Sequence, residues 1–203
     1  MLAETTIDPP IEITDPIEVF KYPALIHNAD ELKRVEQILI EAEIHAVSTA
    51  EATRYARETI VAAREYGMKI AIVSNNSAES IHRYLDIHRL NRHIDHVIGR
   101  PYANPKNMKP SPWPLHVAAK VLNVKNGDCA FVGDSITDID ASSKAKIAVF
   151  AFANKEGKEE RFKKHEKKIK VIKSMRVLAH SFISLNEERK RERDKTEGFQ
   201  RSS

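Results

Sequence analysis

The sequence has little cysteine, little glycine and no long apolar run. A single Cys129 excludes an internal disulfide framework and is typical of a reducing compartment, so we expect a cytoplasmic protein. Six Gly and nine Pro in 203 residues exclude collagen-like and linker-dominated chains. No stretch approaches the roughly 18 apolar residues of a membrane span, and the start MLAETTIDPP lacks the basic and apolar regions of a secretory signal. We therefore expect neither a membrane span nor a leader.

The composition is that of one folded domain with an appendage. Hydrophobic residues make up 41% and charged residues 31%, which is enough apolar material for one core. The net charge of +4 is local, because Lys155 to Lys173 carry +5 and the rest of the chain −1. This basic segment is either a polyanion-binding patch or a solvated helix face. Phe162 is its only aromatic residue, so base stacking and hence nucleic-acid binding have little support.

Two capping patterns predict helices in the first third of the chain. Asn28 stands three residues before Glu31 and opens ADELKRVEQILIEAEIHAV, whose apolar residues recur at helical spacing. Ser48 and Glu51 repeat the pattern before a second helix, which we expect to run towards Tyr66 and to stop at Gly67.

Short apolar strands then alternate with helices. We predict strands at 68–73, 96–99, 129–133, 146–152 and 169–172. We also predict one helix that begins near residues 74–77 and another over residues 115–122. MKIAIV and CAFVG are apolar enough to be strands covered on both faces. This order predicts an α/β fold with a doubly wound, Rossmann-like parallel sheet. We divide the chain into an N-terminal segment with a partial helical cap (1–52), the α/β core (53–185) and a polar tail, helical or disordered (186–203).

Four polar residues fall after predicted strands or in loops between elements, where ligands of parallel sheets gather. Asp134 and Asp138 flank a Ser-Ile-Thr loop and suit a hard cation such as Mg²⁺. Ser74, with the backbone N–H groups of a helix start, suits phosphate oxygens, and Lys109 would add a positive charge. Together these groups are the apparatus for stabilising a transferring phosphoryl group.

Three segments carry a family resemblance: IAIVSNNS (70–77), MKPSPWPL (108–115) and CAFVGDSITDID (129–140). They look like motifs II, III and IV of the haloacid dehalogenase-like hydrolases, and the chain resembles the phosphoglycolate-phosphatase-like branch from about Asn28 to Leu178. The resemblance implies a Mg²⁺-dependent phosphatase of small phosphorylated metabolites. It also implies roles for particular residues: phosphate contacts for Ser74 and Asn75, charge neutralisation for Lys109, loop orientation for Ser135, direct Mg²⁺ ligation for Asp134, and an indirect metal or catalytic role for Asp138.

One motif of that family is missing. Motif I is a strand that ends in Asp-x-Asp and supplies the nucleophile and the general acid/base. The only Asp-x-Asp here is Asp138-Ile139-Asp140, inside motif IV, and Asp8 and Asp15 are each followed by Pro. Thr5–Ile7 and Ile11–Ile13 are short β-prone segments bounded by Pro. We expect a truncated chain with little turnover, and unpaired edges on the two strands that flank the missing one.

Other interpretations remain open. The chain could be a phosphate-binding or interaction module that has lost its nucleophile. A phospho-receiver domain also combines acids and Lys, but its acidic pair comes early and its Lys late, the reverse of the order here. His82, His88, His93 and His96 crowd one stretch, yet neighbouring Arg residues would repel a metal cation. Cys129 leads a strand without an activating neighbour and is expected in the core.

Overall fold

The computed structural model describes residues 16–25 and 28–200, with only the backbone for Pro23, Leu25 and residues 192–200. Asp8, Asp15 and the two β-prone N-terminal segments lie outside these residues. Eight helices are described: α1 (Pro16–Leu25), α2 (Ala29–Val47), α3 (Ala56–Glu65), α4 (Ala78–Ile87), α5 (Trp113–Val121), α6 (Ile136–Ala145), α7 (Lys158–His165) and α8 (Arg176–Gln200). Five strands alternate with them: β1 (Ala71–Val73), β2 (His96–Ile98), β3 (Ala130–Gly133), β4 (Ala148–Phe152) and β5 (Lys170–Ile172).

All strand pairings among these residues are parallel, which confirms the predicted α/β class. The strands form two separate sheets, β1–β2 and β3–β4–β5. No helix in the described part of the chain is both long and apolar enough to cross a membrane.

The inner edges of the two sheets have no strand partner among the described residues. The carbonyl group of Ile70 and the N–H group of Ser74 form hydrogen bonds on the β2 side of β1. Because successive residues of a strand direct their N–H and C=O groups to opposite sides, those of Ala71 and Val73 point away from β2. By the same alternation, Ala130 and Val132 turn theirs away from β4. The sheet is therefore divided between β1 and β3.

This division corrects the expectation that both inner strands are buried. β1 is half-buried throughout, and β3 is exposed at Ala130 and half-buried at Phe131 and Val132. The apolar composition of MKIAIV and CAFVG correctly indicates strands. Their burial depends on a neighbour at each edge, and the described residues supply a neighbour at only one.

Packed helices join the two sheets. Leu115 of α5 lies in one cluster with Ala141 and Ala145 of α6, and both Val73 of β1 and Phe131 of β3 pack against it. Elsewhere, α3 and α8 pack on each other, with Tyr66 and Phe182 at a ring distance of 6.3 Å. Between β1 and β3, therefore, the contact through Leu115, Val73 and Phe131 is made by apolar side chains rather than by a backbone ladder.

The N-terminal helices pack beside the loop that carries Lys109. Phe20 of α1 and Leu39 of α2 share a buried cluster with Met108, the residue before Lys109. α2 has the predicted bounds, and the Asn28 side chain accepts a hydrogen bond from Glu31 N–H at 3.0 Å as the capping pattern predicts. The resulting cluster anchors α1 and α2 next to the candidate site.

Two local predictions need adjustment. Ser48 does not begin the second helix, because its N–H bonds to carbonyl groups of the last turn of α2 and makes it the C-cap there. α3 begins later, after Tyr55, whose φ is 64°. At the other end, α8 continues through Gln200, so the polar segment from residue 186 is helical over its described part.

Candidate functional site

A buried ion pair between Lys109 and Asp138 connects the two sheets. The Lys109 Nζ lies 2.6 Å from Asp138 Oδ1 and 3.3 Å from the carbonyl oxygen of Val73, the last residue of β1. The same ammonium lies 5.4 Å from the ring centroid of Phe131 in β3. Lys109 and Asp138 are 8% and 4% exposed. A positive charge is thus fixed between the carboxyl end of β1 and the loop after β3.

Local donors engage the second oxygen of the Asp138 carboxylate. Its Oδ2 accepts hydrogen bonds from Asp134 N–H at 3.0 Å, Ser135 N–H at 3.1 Å and Ser135 Oγ at 2.7 Å. Ser135 and Asp138 form a capping box at the start of α6. A Cβ at Gly133 would lie 2.4 Å from the Asp138 Cβ, so glycine is required for this close approach. The sequence FVGDSITD thereby folds a strand end tightly onto its own helix cap.

Asn75 holds the backbone of Lys109 at two points. Its Oδ1 accepts from Lys109 N–H at 2.9 Å, and its Nδ2 donates to Lys109 O at 3.1 Å. Ser74 beside it is half-buried, and its Oγ accepts from Asn76 N–H at 3.1 Å. The structure therefore joins Asn75, Lys109 and Asp138 in one hydrogen-bonded network, and Ser74 precedes Asn75 in the chain.

Asp134 also lies at this edge, with a partner that the sequence did not suggest. The Lys158 Nζ lies 2.7 Å from Asp134 Oδ2 and 2.8 Å from the Asp134 carbonyl oxygen. The Asp134 side chain is 52% exposed and that of Lys158 is 23% exposed. Lys158 follows β4 and begins α7. The strand-end rule that selected Asp134 applies to this loop as well and could have found it.

Arg100 is a second residue that the sequence reasoning missed. It follows β2, its side chain is fully buried, and it bonds Glu36 Oε1 at 2.8 Å and Glu43 Oε1 at 2.6 Å. Burial alone would lower the pKa of Arg100, but the two carboxylates of α2 raise it. Arg100 also donates to Asn75 O at 2.8 Å, and Glu43 accepts from Ser77 N–H at 2.7 Å. This buried cluster fixes the loop from Ser74 to Ser77 from behind.

The described residues do not by themselves fit a magnesium ion. Both oxygens of Asp138 already accept hydrogen bonds, three at Oδ2 and one from the Lys109 ammonium at Oδ1, and Asp134 already pairs with the Lys158 ammonium. Within residues 16–25 and 28–200, no group of three or more His, Cys, Asp or Glu is placed to hold a metal ion. Mg²⁺ can bind through one or two carboxylates when phosphate and water complete its shell. A metal here would need to displace Lys158 or take a further ligand from outside the described residues.

A separate open cleft of about 880 Å³ lies at the carboxyl ends of β4 and β5. Arg54, Tyr55, Asn154, Lys173 and Arg176 are among its lining residues, which include none of the site residues predicted from the sequence. Lys173 is paired with Glu159. The lysines of the basic segment from Lys155 to Lys173 thus form ion pairs within the chain as well as contributing to the surface charge.

Parallel strands alternating with helices define an α/β protein, and the candidate site lies at the carboxyl ends of these strands. Residues 14–152 match the model of the haloacid dehalogenase-like hydrolase family, and the chain belongs to that family. This membership confirms the resemblance carried by the three sequence motifs.

The curated relatives also support the phosphoglycolate-phosphatase-like branch. The chain is 33% identical over 87 residues to a phosphoglycolate phosphatase of Aquifex aeolicus, a match that covers 43% of this chain and 40% of that protein. It is 32% identical over 98 residues to the pyrophosphatase PpaX of Halalkalibacterium halodurans, covering 47% and 45%. The chain thus spans less than half the length of these relatives.

Solved structures support the fold. A beta-phosphoglucomutase from Clostridium difficile superposes with a TM-score of 0.63 at 17% identity, covering 85% of this chain and 76% of that one. A HAD-superfamily hydrolase from Ehrlichia chaffeensis gives 0.54 at 20% identity, covering 88% and 82%. At these identities the likeness concerns the fold alone.

Proposed function

We propose that this chain carries the phosphate-binding part of a phosphomonoester hydrolase that acts on a small phosphorylated metabolite. The observation that supports this most is the position of Lys109. Its ammonium is fixed between β1 and β3 by Asp138 and Val73 O, and its backbone is held by the Asn75 side chain. A fixed positive charge at a strand end stabilises an oxyanion at little reorganisation cost. Family membership and the named phosphatase relatives support the choice of phosphate as that oxyanion.

Ser74 and the following backbone provide the remaining donors. The Ser74 hydroxyl accepts from Asn76 N–H and keeps its own proton free to donate, and no described residue accepts from Asn75 N–H. Arg100 holds the carbonyl of Asn75, which limits the movement of this loop. We propose that these groups bind the phosphate oxygens, with Lys109 compensating their charge.

Hydrolysis needs a nucleophile that the described residues do not offer. Asp138 is the only described carboxylate that pairs with Lys109, and four donors hold it in place. A carboxylate saturated in this way is a poor nucleophile. The aspartyl-phosphate chemistry implied by the family therefore requires a carboxylate from outside the described residues. Dependence on Mg²⁺ has the same requirement, and we derive no step through a metal.

The alternative is a binding module that holds phosphate without turnover, and the four hydrogen bonds that hold Asp138 in place favour it for the residues described. Either function is consistent with a cytoplasmic location, which we retain as a proposal on the evidence of one unpaired cysteine.

Phosphate binding and turnover can be measured on the same 203-residue protein. We expect calorimetric titration to detect inorganic phosphate binding, and we expect no hydrolysis of 4-nitrophenyl phosphate. Lys109→Met should weaken binding by about tenfold or more, because it removes the charge nearest the anion. Lys106→Met is the matched control, since Lys106 is exposed and makes no described contact. Ser74→Ala removes a hydroxyl without removing a buried charge, and should weaken binding by about fivefold.

The outcomes separate the two functions. Turnover that Asp134→Asn abolishes would show that the described residues are sufficient for hydrolysis and would contradict the missing-nucleophile argument. Phosphate binding without turnover would favour the binding module. Equal affinities in wild type, Lys109→Met and Ser74→Ala would reject the site itself.

A further inference from the structure

The position of Lys158 has a consequence for the cation that this site accepts. Its ammonium contacts two oxygens of Asp134, the carboxylate Oδ2 at 2.7 Å and the backbone carbonyl at 2.8 Å. A carboxylate oxygen and a backbone carbonyl oxygen are also the hard ligands that a divalent cation takes in proteins. The ammonium therefore occupies the place from which a metal would contact Asp134.

The start of α7 is anchored so that Lys158 reaches this place. Gly157 before it has a φ of 76°, in the left-handed region that favours glycine. Glu159 after it bonds Lys163 in the same helix and Lys173 just beyond β5, at 2.5 Å each. These two lysines lower the pKa of Glu159 to about 2.

The charges at the strand ends are already balanced. Asp134 and Asp138 supply two negative charges, and Lys158 and Lys109 supply two positive charges at contact distance. A divalent cation added at Asp134 would meet the Lys158 ammonium as a close like charge. A phosphate oxyanion would have to draw on the two lysines while each is paired with its carboxylate, and the more exposed Lys158 is the one freer to turn towards it.

We propose that Lys158 is a tethered cation that replaces a divalent metal ion at Asp134, so that this site binds a phosphate oxyanion without added metal. The part that concerns phosphate rests on the proposed function, whereas the competition between Lys158 and a metal does not. The pair is exposed enough to exchange, since exposed ion pairs are held weakly. Lys158 is thus a positioning and charge-compensating residue rather than a catalytic one.

Metal binding tests the tether directly. Free Mn²⁺ is followed by electron paramagnetic resonance during titration of wild type, Lys158→Met, Lys155→Met and the double variant Lys158→Met/Asp134→Asn. We expect Lys158→Met to bind Mn²⁺ about tenfold more tightly than wild type, because a like charge beside Asp134 is removed. Lys155→Met has the same charge change on the same loop, without a described contact to Asp134, and should match wild type. The double variant Lys158→Met/Asp134→Asn should not show this increase in Mn²⁺ affinity, because it lacks the carboxylate that would bind the metal.

Phosphate binding tests the second part. Calorimetric titration of wild type with inorganic phosphate should give the same affinity in EDTA as in excess Mg²⁺, and Lys158→Met should weaken it about threefold in EDTA. Equal Mn²⁺ affinity in wild type and Lys158→Met would overturn the tether, as would phosphate binding that requires added Mg²⁺. A gain in Mn²⁺ affinity with no phosphate binding in any variant would reject the proposed function but keep Lys158 as the competitor of the metal.

Discussion

The two lysine–aspartate pairs at this site have the same chemistry and different surroundings. Asp134 and Asp138 are four residues apart, and each pairs with a lysine from a distant segment at 2.6 to 2.7 Å. The side chains of Lys109 and Asp138 are 10% and 5% exposed, whereas those of Lys158 and Asp134 are 23% and 52% exposed. Asp138 accepts from three further donors, all local.

The difference in burial separates a structural pair from an exchangeable one. Removing one partner of a buried pair leaves an uncompensated charge in a low-dielectric environment, which is strongly destabilising. Removing one partner of an exposed pair leaves a charge that water solvates. We therefore expect Lys109 to contribute to stability as well as to ligand binding, and Lys158 to affect mainly the choice of cation.

The largest effect on stability is expected at Arg100, the most buried cation of the region. Arg100→Met leaves Glu36 and Glu43 without their cation, and Glu36 is only 1% exposed. The free energy of unfolding should fall by about 4 kcal/mol. Urea unfolding measures this, and Arg83→Met, an exposed arginine of α4 without a described contact, is the control.

A compensating variant makes the Arg100 result specific. Adding Glu36→Gln and Glu43→Gln to Arg100→Met removes the stranded charges and should restore part of the stability. A loss below about 1 kcal/mol in Arg100→Met alone would contradict the buried-charge explanation.

A smaller loss is expected at Lys109. Lys109→Met should lower the free energy of unfolding by about 3 kcal/mol, less than at Arg100 because three local donors still satisfy Asp138. Lys158→Met is the matched comparison and should change it by less than about 1 kcal/mol. Equal losses in the two variants, measured by urea unfolding, would remove the distinction between the buried and the exposed pair.

Asp95 pairs with Arg64, and its side chain is 24% exposed, which lies between the values of Asp138 and Asp134. Its ionisation also makes the stability depend on pH. Burial would raise the pKa of Asp95, but hydrogen bonds from Ile70 N–H and Arg64 together lower it below its ordinary value. A lowered folded-state pKa gives stability that is present above the unfolded-state pKa of about 3.9 and is lost as pH falls through the folded-state value. Asp95→Asn should therefore flatten the acid side of the stability curve.

The measurement is the free energy of unfolding by urea between about pH 5 and pH 2.5, in wild type and Asp95→Asn. The two curves should differ most at the upper end of this range and converge as the pH falls. Parallel curves would show that Asp95 has the same pKa in the folded and unfolded states. This is the smallest of the three expected effects, because the side chain is partly solvated.

Local sequence patterns were sufficient for the order of the five strands and for several element ends, but they did not predict α1. The Asn28 cap and the Ser77 cap are formed by side chains three residues from the N–H groups that they bond. Ser48 shows the limit of such patterns: it has the right neighbour at Glu51, yet its N–H was already used by α2. A local motif is reliable only while no adjacent element competes for the same groups.

The partners of the site residues could not be predicted from the sequence, for a different reason. Arg100 meets Glu36 and Glu43 from 64 and 57 residues away, and Lys158 meets Asp134 from 24 residues away. No spacing rule encodes such pairs. The strand-end rule located Ser74 and Asp134 at one edge, but it does not state which charges meet there.

The sequence by itself determined the α/β class, the placement of Ser74 and Asp134 directly after strands, and the resemblance to the haloacid dehalogenase-like hydrolases. The class and the element ends follow from hydrophobic periodicity and short-range capping, which act between residues close in the chain, and the resemblance follows from three short motifs. The missing motif also predicted the unpaired inner edges of β1 and β3, which the described residues confirm. Only the tertiary structure decided that four donors hold Asp138 and that Lys158 stands at Asp134. Those outcomes depend on burial and on charge pairing between distant segments, because the energy of a charge is set by what surrounds it after the chain has folded.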